Sequence, residues 1–337
     1  MRECWLIEVS FFIFLKAVYL IELEAKKIMK IVVTHSSPDL DAISSVWLIK
    51  KFLPGWEDAK AEFVPAGERF KDAKLDPELR GPIEKIGNDE VIHVDTGMGP
   101  LDHHQTADDR VCAASLTFDY VKAEHFLHNQ AISGEKIEVL DRLIKIIVDI
   151  DHFKEVFWED PTADYHDFTL IGVLDGLKIE KPDQDQYYVD FISQSFDALL
   201  HELENKIWAE KEIAEKGIKF KTRFGEGIGF ETINDSVIKL AQKKGYVVVV
   251  RKDPRKGYVR IKARPTDERL VSEKTADVKD KDINLTLMYE MFKKIDPEAT
   301  WFLHISKKML LNGSVKNPKM KPTKLSLNDI IKVLESV

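Results

Sequence analysis

Cys4 and Cys112 are the only two cysteines in the chain, and neither belongs to a Cys-x-x-Cys pair. That excludes a disulfide framework and a thiolate zinc site, and it fits a reducing, cytoplasmic compartment. Excess positive charge is also missing. The formal net charge is −8 over 337 residues, which excludes a protein that coats nucleic acid by bulk electrostatics and leaves room for a local basic groove. Internal repeats and low-complexity segments are absent, and with 44% hydrophobic residues the composition is that of a folded globular protein rather than a disordered one. The length suffices for two domains with separate cores.

An uninterrupted apolar run is lacking too. Trp5 to Leu23 reads WLIEVSFFIFLKAVYLIEL, long enough to span a bilayer, but Glu8, Lys16 and Glu22 break it. A charge near the centre of a span costs roughly 2.5–3.5 kcal/mol, and no small-residue cleavage site follows. Met29-Lys30-Ile31 then opens a clean strand. The expectation is a start at Met29, with residues 1–28 an over-extended reading frame. An appended amphipathic helix and a membrane anchor are the alternatives, and no membrane association is expected.

What is present alternates between strand and helix. Ile31 to Thr34, Glu62 to Pro65 and Val91 to Val94 read as strands; Asp41 to about Pro54, Ala113 to Phe126 and Glu135 to Ile150 read as helices. The fold class is therefore α/β, a mostly parallel sheet flanked by helices, over 29–185. Tyr187 to Lys216 lacks glycine and proline and reads as a connecting helix, assigned to 186–220. Over 221–337 a second, smaller α/β domain is expected. In it Tyr246–Val250 and Tyr258–Lys262 flank Asp253-Pro254-Arg255-Lys256-Gly257 as a hairpin. Helices at Ile283–Ile295 and Leu325–Val337 and a strand at Trp301–Ile305 complete it.

Chemistry concentrates where strands end. His35-Ser-Ser-Pro-Asp39-Leu-Asp41 follows the first strand, and Pro38 makes it a strand-to-loop-to-helix turn. One aspartate there would read as a helix cap; His35 with Asp39 and Asp41 reads as a metal-ligand set. Asp95 ends another strand, and its two oxygens suit bridging two cations. Asp102-His103-His104 follows, with His103 offering a nitrogen, His104 directed at a phosphoryl group and Asp102 orienting a histidine. Asp151, or its rival Asp149, supplies a further carboxylate; Asp151 is preferred. Such mixed oxygen and imidazole donors fit Mn²⁺, Mg²⁺, Co²⁺ or Zn²⁺.

HSSPDLDAISS, VDTG, LDHHQ and the later IDH resemble motifs one to four of the DHH phosphoesterase superfamily. That group includes RecJ-type exonucleases, oligoribonuclease-like enzymes and family II inorganic pyrophosphatases. The resemblance implies a hydrolase using two Mn²⁺ or Mg²⁺ ions, with His35, Asp39, Asp41, Asp95, His103 and Asp151 as ligands and His104 facing substrate. Asp102, His103 and His104 form the implied catalytic string. In the C-terminal half, Val250–Pro254 running into Tyr258–Pro265, together with Trp301–Ser306 and Asn312-Gly313-Ser314, is similar to the Myg-type DHH-like nucleases, although Asn312-Gly313 replaces that family's Gly-Gly pair. This likeness implies 3′–5′ exonuclease action on RNA or short oligonucleotides.

Residues 239–264 are rich in lysine and arginine, with Asp253 as their single acid. Arg251, Arg255, Lys256 and Arg260 on the proposed hairpin suit a phosphate clamp, against the plain alternative of a solvated basic surface. His304 reads equally as a substrate contact and as a satisfied core histidine. The expected partner is a phosphate-containing small molecule or a short single-stranded nucleic acid, held in a cleft between the domains, in a chain compatible with a homodimer. A family II-like pyrophosphatase is the enzymatic alternative, although its Ser-Arg-Lys-Lys string is absent. A catalytically degenerate metal- or nucleotide-binding regulatory protein is the other.

Overall fold

The computed structural model describes residues 28–128, 132–265, 283–314 and 316–336. The reading of the first 27 residues, including Trp5–Leu23, lies outside them. Among the described residues no helix is long and apolar enough to cross a membrane. The chain divides into two compact units after His201, each α/β.

In the first unit β1 (Lys30–His35) lies inside a four-stranded sheet of order β2-β1-β4-β3. Its run Ile31-Val32-Val33-Thr34 is buried throughout, as a strand covered on both faces must be. β2 (Lys60–Val64) and β4 (Asp89–His93) both pair with it in parallel. Their C-terminal ends therefore open on the same edge as that of β1. β3 (Ile83–Ile86) adds an antiparallel edge, with Ile86 opposite Asp89. Its two-residue Gly87-Asn88 connection is a hairpin signal that the sequence reading passed over. α1 (Leu40–Phe52) packs against β1, and α2 (Ala113–Leu127) and α3 (Gly134–Asp151) pack against α1 and against each other.

One observed element is new in kind, and the expected connecting helix is found with slightly shifted bounds. α4 (Leu170–Glu180) was not foreseen, and it buries only Leu174, so it offers no strong apolar period to read. The connecting helix, α5, begins at Asp185 and ends at Glu215, and the division between units falls inside it.

The second unit is built on a six-stranded sheet of order β5-β6-β7-β8-β10-β9. The strands are β5 (Ile218–Thr222), β6 (Gly225–Glu231), β7 (Val248–Lys252), β8 (Val259–Ala263), β9 (Phe302–Leu303) and β10 (Met309–Asn312). Among the described residues of this unit, only β6 and β7 pair in parallel. α6 (Ser236–Lys243) and the end of α5 cover one face through Ile213, Val237 and Ile238 against Ile228, Phe230 and Val249. α7 (Thr286–Ile295) and α8 (Leu327–Glu335) cover the other, placing Met288, Phe292, Ile330 and Leu334 with Val248, Val250 and Ile261. α6 was not foreseen, and the strand expected over Trp301–Ile305 shrinks to two residues. Gly227 is required in β6, because a Cβ there would lie 2.4 Å from the Phe220 ring and 2.9 Å from the Val248 carbonyl oxygen.

Candidate metal centre

The parallel pairing of β1 and β4 brings His35 and Asp95 together, 60 residues apart in sequence. This is the carboxyl edge where α/β sheets gather ligands. His35 Nε2 donates to Asp95 Oδ2 at 3.2 Å, and its Nδ1 donates to the Ser36 carbonyl at 2.9 Å. With both nitrogens donating, the ring is held as imidazolium. Burial opposes the charge, but the bonds to Asp95 and Ser36 and the charges of Asp39 and Asp95 raise its pKa to about 9.

Asp39 does what a cap does and leaves an oxygen over. Oδ1 accepts the Ala42 N–H at 2.9 Å, while Oδ2 lies 3.9 Å from His35 Nε2. Asp41, two residues on, is buried. Its Oδ2 and Oδ1 accept the Ala113 and Ala114 amides, each at 2.7 Å, so the N-terminus of α2 is spent on this carboxylate. Even so, burial and the neighbouring Asp95 and Asp151 push its pKa well up.

His103 Nε2 sits among three carboxylates: Asp95 Oδ1 at 3.4 Å, Asp151 Oδ2 at 3.6 Å and Asp41 Oδ2 at 3.7 Å. The contact with Asp95 outweighs desolvation and, with Asp151 and Asp41, lifts the His103 pKa to about 9. Asp95 itself is buried, which opposes its charge, but His103 and His35 hold its pKa below the ordinary carboxylate value. Asp151 moves the other way, raised by burial and by Asp39 and Asp95.

Three atoms at the centre of this arrangement are buried without a properly formed hydrogen bond: Asp95 Oδ1, His103 Nε2 and Asp151 Oδ2. Buried polar atoms are almost always satisfied. Two carboxylate oxygens and an imidazole nitrogen left over around His103 are donors of the type that fit a divalent cation. Asp95 Oδ2 turns to the second set, with His35 and Asp39. The ligand atoms of that second set lie within 4.8 Å of one another, as do those of Asp95, His103 and His104 and those of His103, Asp151 and His152, so Asp95 belongs to two groups and His103 joins it to Asp151.

α3 continues through Asp151, so Asp149 and Asp151 do not share a face, and Asp149 is outside these groups. Asp102 is buried and takes no place among the donors. Its Oδ1 accepts from His104 Nδ1 at 2.8 Å and Oδ2 from the Met98 amide at 2.7 Å, which orients His104. The His104 side chain remains 58% exposed with Nδ1 3.7 Å from Asp95 Oδ1. His152, not singled out from sequence, completes a third donor group with His103 and Asp151. Its Nε2 donates to the Val111 carbonyl at 2.9 Å. Its signal was adjacency to Asp151. Lys178 and Asp185 are different: they bond the Ser37 carbonyl at 3.1 Å and amide at 3.0 Å, across more than a hundred residues, and nothing local in the sequence announces them.

The expected clamp residues all fall in the second unit. Arg251 and Arg260 stand opposite each other on β7 and β8 and share the Asp235 carboxylate. Arg251 is buried and also bonds the Thr232 carbonyl. Arg255 and Lys256 are exposed, the first 3.8 Å from Asp253 and the second over the Tyr258 ring. His304 is partly exposed and bonds the Ser306 hydroxyl through Nδ1 at 2.8 Å.

No protein-family model matches the chain, and no curated protein matches it. Among solved structures it is similar to a chain described as a DHH domain from a member of a family of ribosomal proteins. The similarity covers 95% of this chain and 89% of that one, at 10% sequence identity and a TM-score of 0.29.

Proposed function

We propose that the first unit is a DHH-type metal-dependent phosphohydrolase that holds two divalent cations, Mn²⁺ or Mg²⁺. The observation that carries the reading is the convergence of Asp95 Oδ1, His103 Nε2 and Asp151 Oδ2 as buried atoms without hydrogen bonds. His35 and Asp39 offer a second set on the other oxygen of Asp95. Cations held there supply Lewis acidity and lower the pKa of water, which is what phosphoester hydrolysis needs.

The residues of the chain divide the remaining work. Asp95, Asp41 and Asp151 gather carboxylates around His103, and a divalent cation would relieve the repulsion that raises the pKa values of Asp41 and Asp151. The Ser36 carbonyl keeps a proton on Nδ1 of His35, so Nε2 is the nitrogen that would serve a ligand bond once its own proton is displaced. Asp102 holds Nδ1 of the exposed His104 side chain, so that Nε2, in the protonated ring, would donate to a phosphoryl oxygen. In the second unit the hairpin carries the exposed cations Arg255, Lys256 and Lys262, suited to an anionic ligand.

For substrate, a short oligonucleotide cleaved as a 3′–5′ exonuclease follows from the Myg-type motif likeness; pyrophosphate is the alternative. Metal-stripped protein resupplied with Mn²⁺ or Mg²⁺ is to be offered short RNA, short DNA, 3′-phosphoadenosine 5′-phosphate, cyclic dinucleotides and pyrophosphate. Turnover of RNA or DNA is expected, and Asp95→Ala and His103→Ala abolish it. Failure on every substrate sinks the hydrolase reading. Cleavage of pyrophosphate alone replaces the nuclease by a pyrophosphatase.

A further inference from the structure

Asp95 belongs to both donor sets, yet its backbone stands at φ +53°, and Gly97 and Met98 follow at +77° and +55°. A non-glycine residue in the left-handed region persists only when its surroundings over-determine it. Within the turn itself, the Asp95 amide donates to the Leu101 carbonyl at 3.1 Å and the Met98 amide to Asp102. The rest of the support comes from a separate stretch, residues 67–70.

The Gly67 amide donates to Thr96 Oγ1 at 3.0 Å, and that hydroxyl donates to the Glu68 carbonyl at 3.1 Å. Arg69 Nη1 donates to the Gly97 carbonyl at 2.6 Å. Its stem lies against Gly97 so closely that a Cβ there would fall 2.9 Å from Arg69 Cγ. The Arg69 side chain is only 8% exposed, and its other amino group pairs with buried Glu84 on β3. Glu84 Oε1 accepts from His93 Nδ1 at 3.0 Å, and His93 Nε2 accepts the Phe70 amide at 3.0 Å. Burial works against the Glu84 charge, but His93 and Arg69 hold its pKa below the ordinary value. A buried, ionised chain thus runs from β4 and β3 into one guanidinium, whose free end grips a carbonyl two residues beyond Asp95. An ion pair that merely fastened the β3 edge would need no bond to Gly97.

We infer that Arg69 is a positioning residue of the metal centre. By fixing the Gly97 carbonyl it holds the left-handed turn that aims the two oxygens of Asp95 at separate donor sets. The inference rests on the two-cation reading above. Supports of metal ligands are worth about 10–100-fold in metal affinity. In Arg69→Gln, Mn²⁺ affinity by calorimetry is expected to fall by about that factor. The electron paramagnetic resonance signature of an exchange-coupled Mn²⁺ pair should be lost, and kcat should fall with KM little changed. Arg69→Lys keeps a charge for Glu84 but cannot span from Glu84 to Gly97. It should melt near wild type without metal and still show the weakened affinity and the lost coupling.

Folded Arg69→Lys with wild-type Mn²⁺ affinity and an intact coupled signal overturns the inference, and that variant decides the matter if Arg69→Gln does not fold. Wild-type protein that binds Mn²⁺ without a coupled signal would refute the paired arrangement instead, leaving the affinity measurement to judge Arg69. Wild-type protein that binds no Mn²⁺ would remove both.

Discussion

Without cations, the stability of the first unit should fall as pH rises from about 6.5 to 9. His35 and His103 both have pKa values raised to about 9 from 6.5. A histidine whose folded pKa lies above its unfolded value stabilises the fold fully below the unfolded pKa. That stabilisation is lost as pH climbs through the folded one. One shift of this size corresponds to about 3 kcal/mol. Both rings lean on the single Asp95 carboxylate and His103 is partly open to solvent, so the pair together is set near that one value rather than twice it. Asp41 and Asp151, also raised, contribute in the same sense at lower pH: their contribution is lost as pH rises above the ordinary carboxylate range. For a unit of this size, about 3 kcal/mol moves the melting temperature by roughly 6–12 °C.

Scanning calorimetry in chelator, at intervals from pH 6 to 9, reads this directly. The slope is best taken below pH 8.5. Above it, the buried Cys112 thiol, whose pKa is also pushed up by burial, adds a loss of the same sign once the unfolded thiol ionises. With Mn²⁺ present the direction reverses. Binding at Nε2 displaces the protons that His35 and His103 carry, so affinity grows with pH and the gap between loaded and metal-free melting temperatures widens. A metal-free melting temperature that stays level or rises between pH 6.5 and 8.5 refutes the reasoning. So does an Asp95→Asn variant with the wild-type slope, because removing that carboxylate should flatten it.

Other outcomes follow from the same geometry. Asp151→Asn should weaken Mn²⁺ binding by tenfold or more in calorimetry, about the loss expected from disturbing a metal site, while Asp149→Asn leaves it near wild type. Asp102→Asn and His104→Ala should leave Mn²⁺ affinity near wild type and lower kcat by about 10²-fold or more, the range of a lost general acid–base or charge-stabilising group, in steady-state assays on a short oligonucleotide. Arg255→Ala should raise KM for an oligonucleotide without altering Mn²⁺ binding. Gly227→Val should cost at least about 1–3 kcal/mol in urea denaturation of the second unit, the usual penalty of overpacking, because its Cβ would enter the Phe220 ring.

The elements that could be read from sequence are those whose reason is local. Ile31 to Thr34 is buried on both faces and therefore continuously apolar. α3 shows Val139, Leu140, Leu143, Ile144, Ile147 and Val148 at helical spacing because one face is core. β3, with Glu84 and Lys85 at its centre and half exposed at the sheet edge, has no such pattern, and α4 buries too little to have a period. The same division runs through the site. His35, Asp39 and Asp41 are compressed into seven residues, and His103 and His104 are adjacent, so chemistry shows in spacing alone.

What spacing cannot carry is the difference between residues that hold and residues that are held. Asp41 and Asp102 look alike in sequence, each an aspartate near a histidine. Asp41 is fixed by two amides of α2 and still faces His103, while Asp102 gives its oxygens to His104 and to the turn behind it. The amides that decide this come from 72 and 73 residues away for Asp41 and from two and four for Asp102. The second unit repeats the lesson for cations. Arg251, Arg255 and Arg260 form one basic cluster in sequence, but Asp235, outside the hairpin, takes Arg251 and Arg260 together. The charge of a residue is written where it stands; whether that charge is free for a ligand is decided by a partner that the fold brings in.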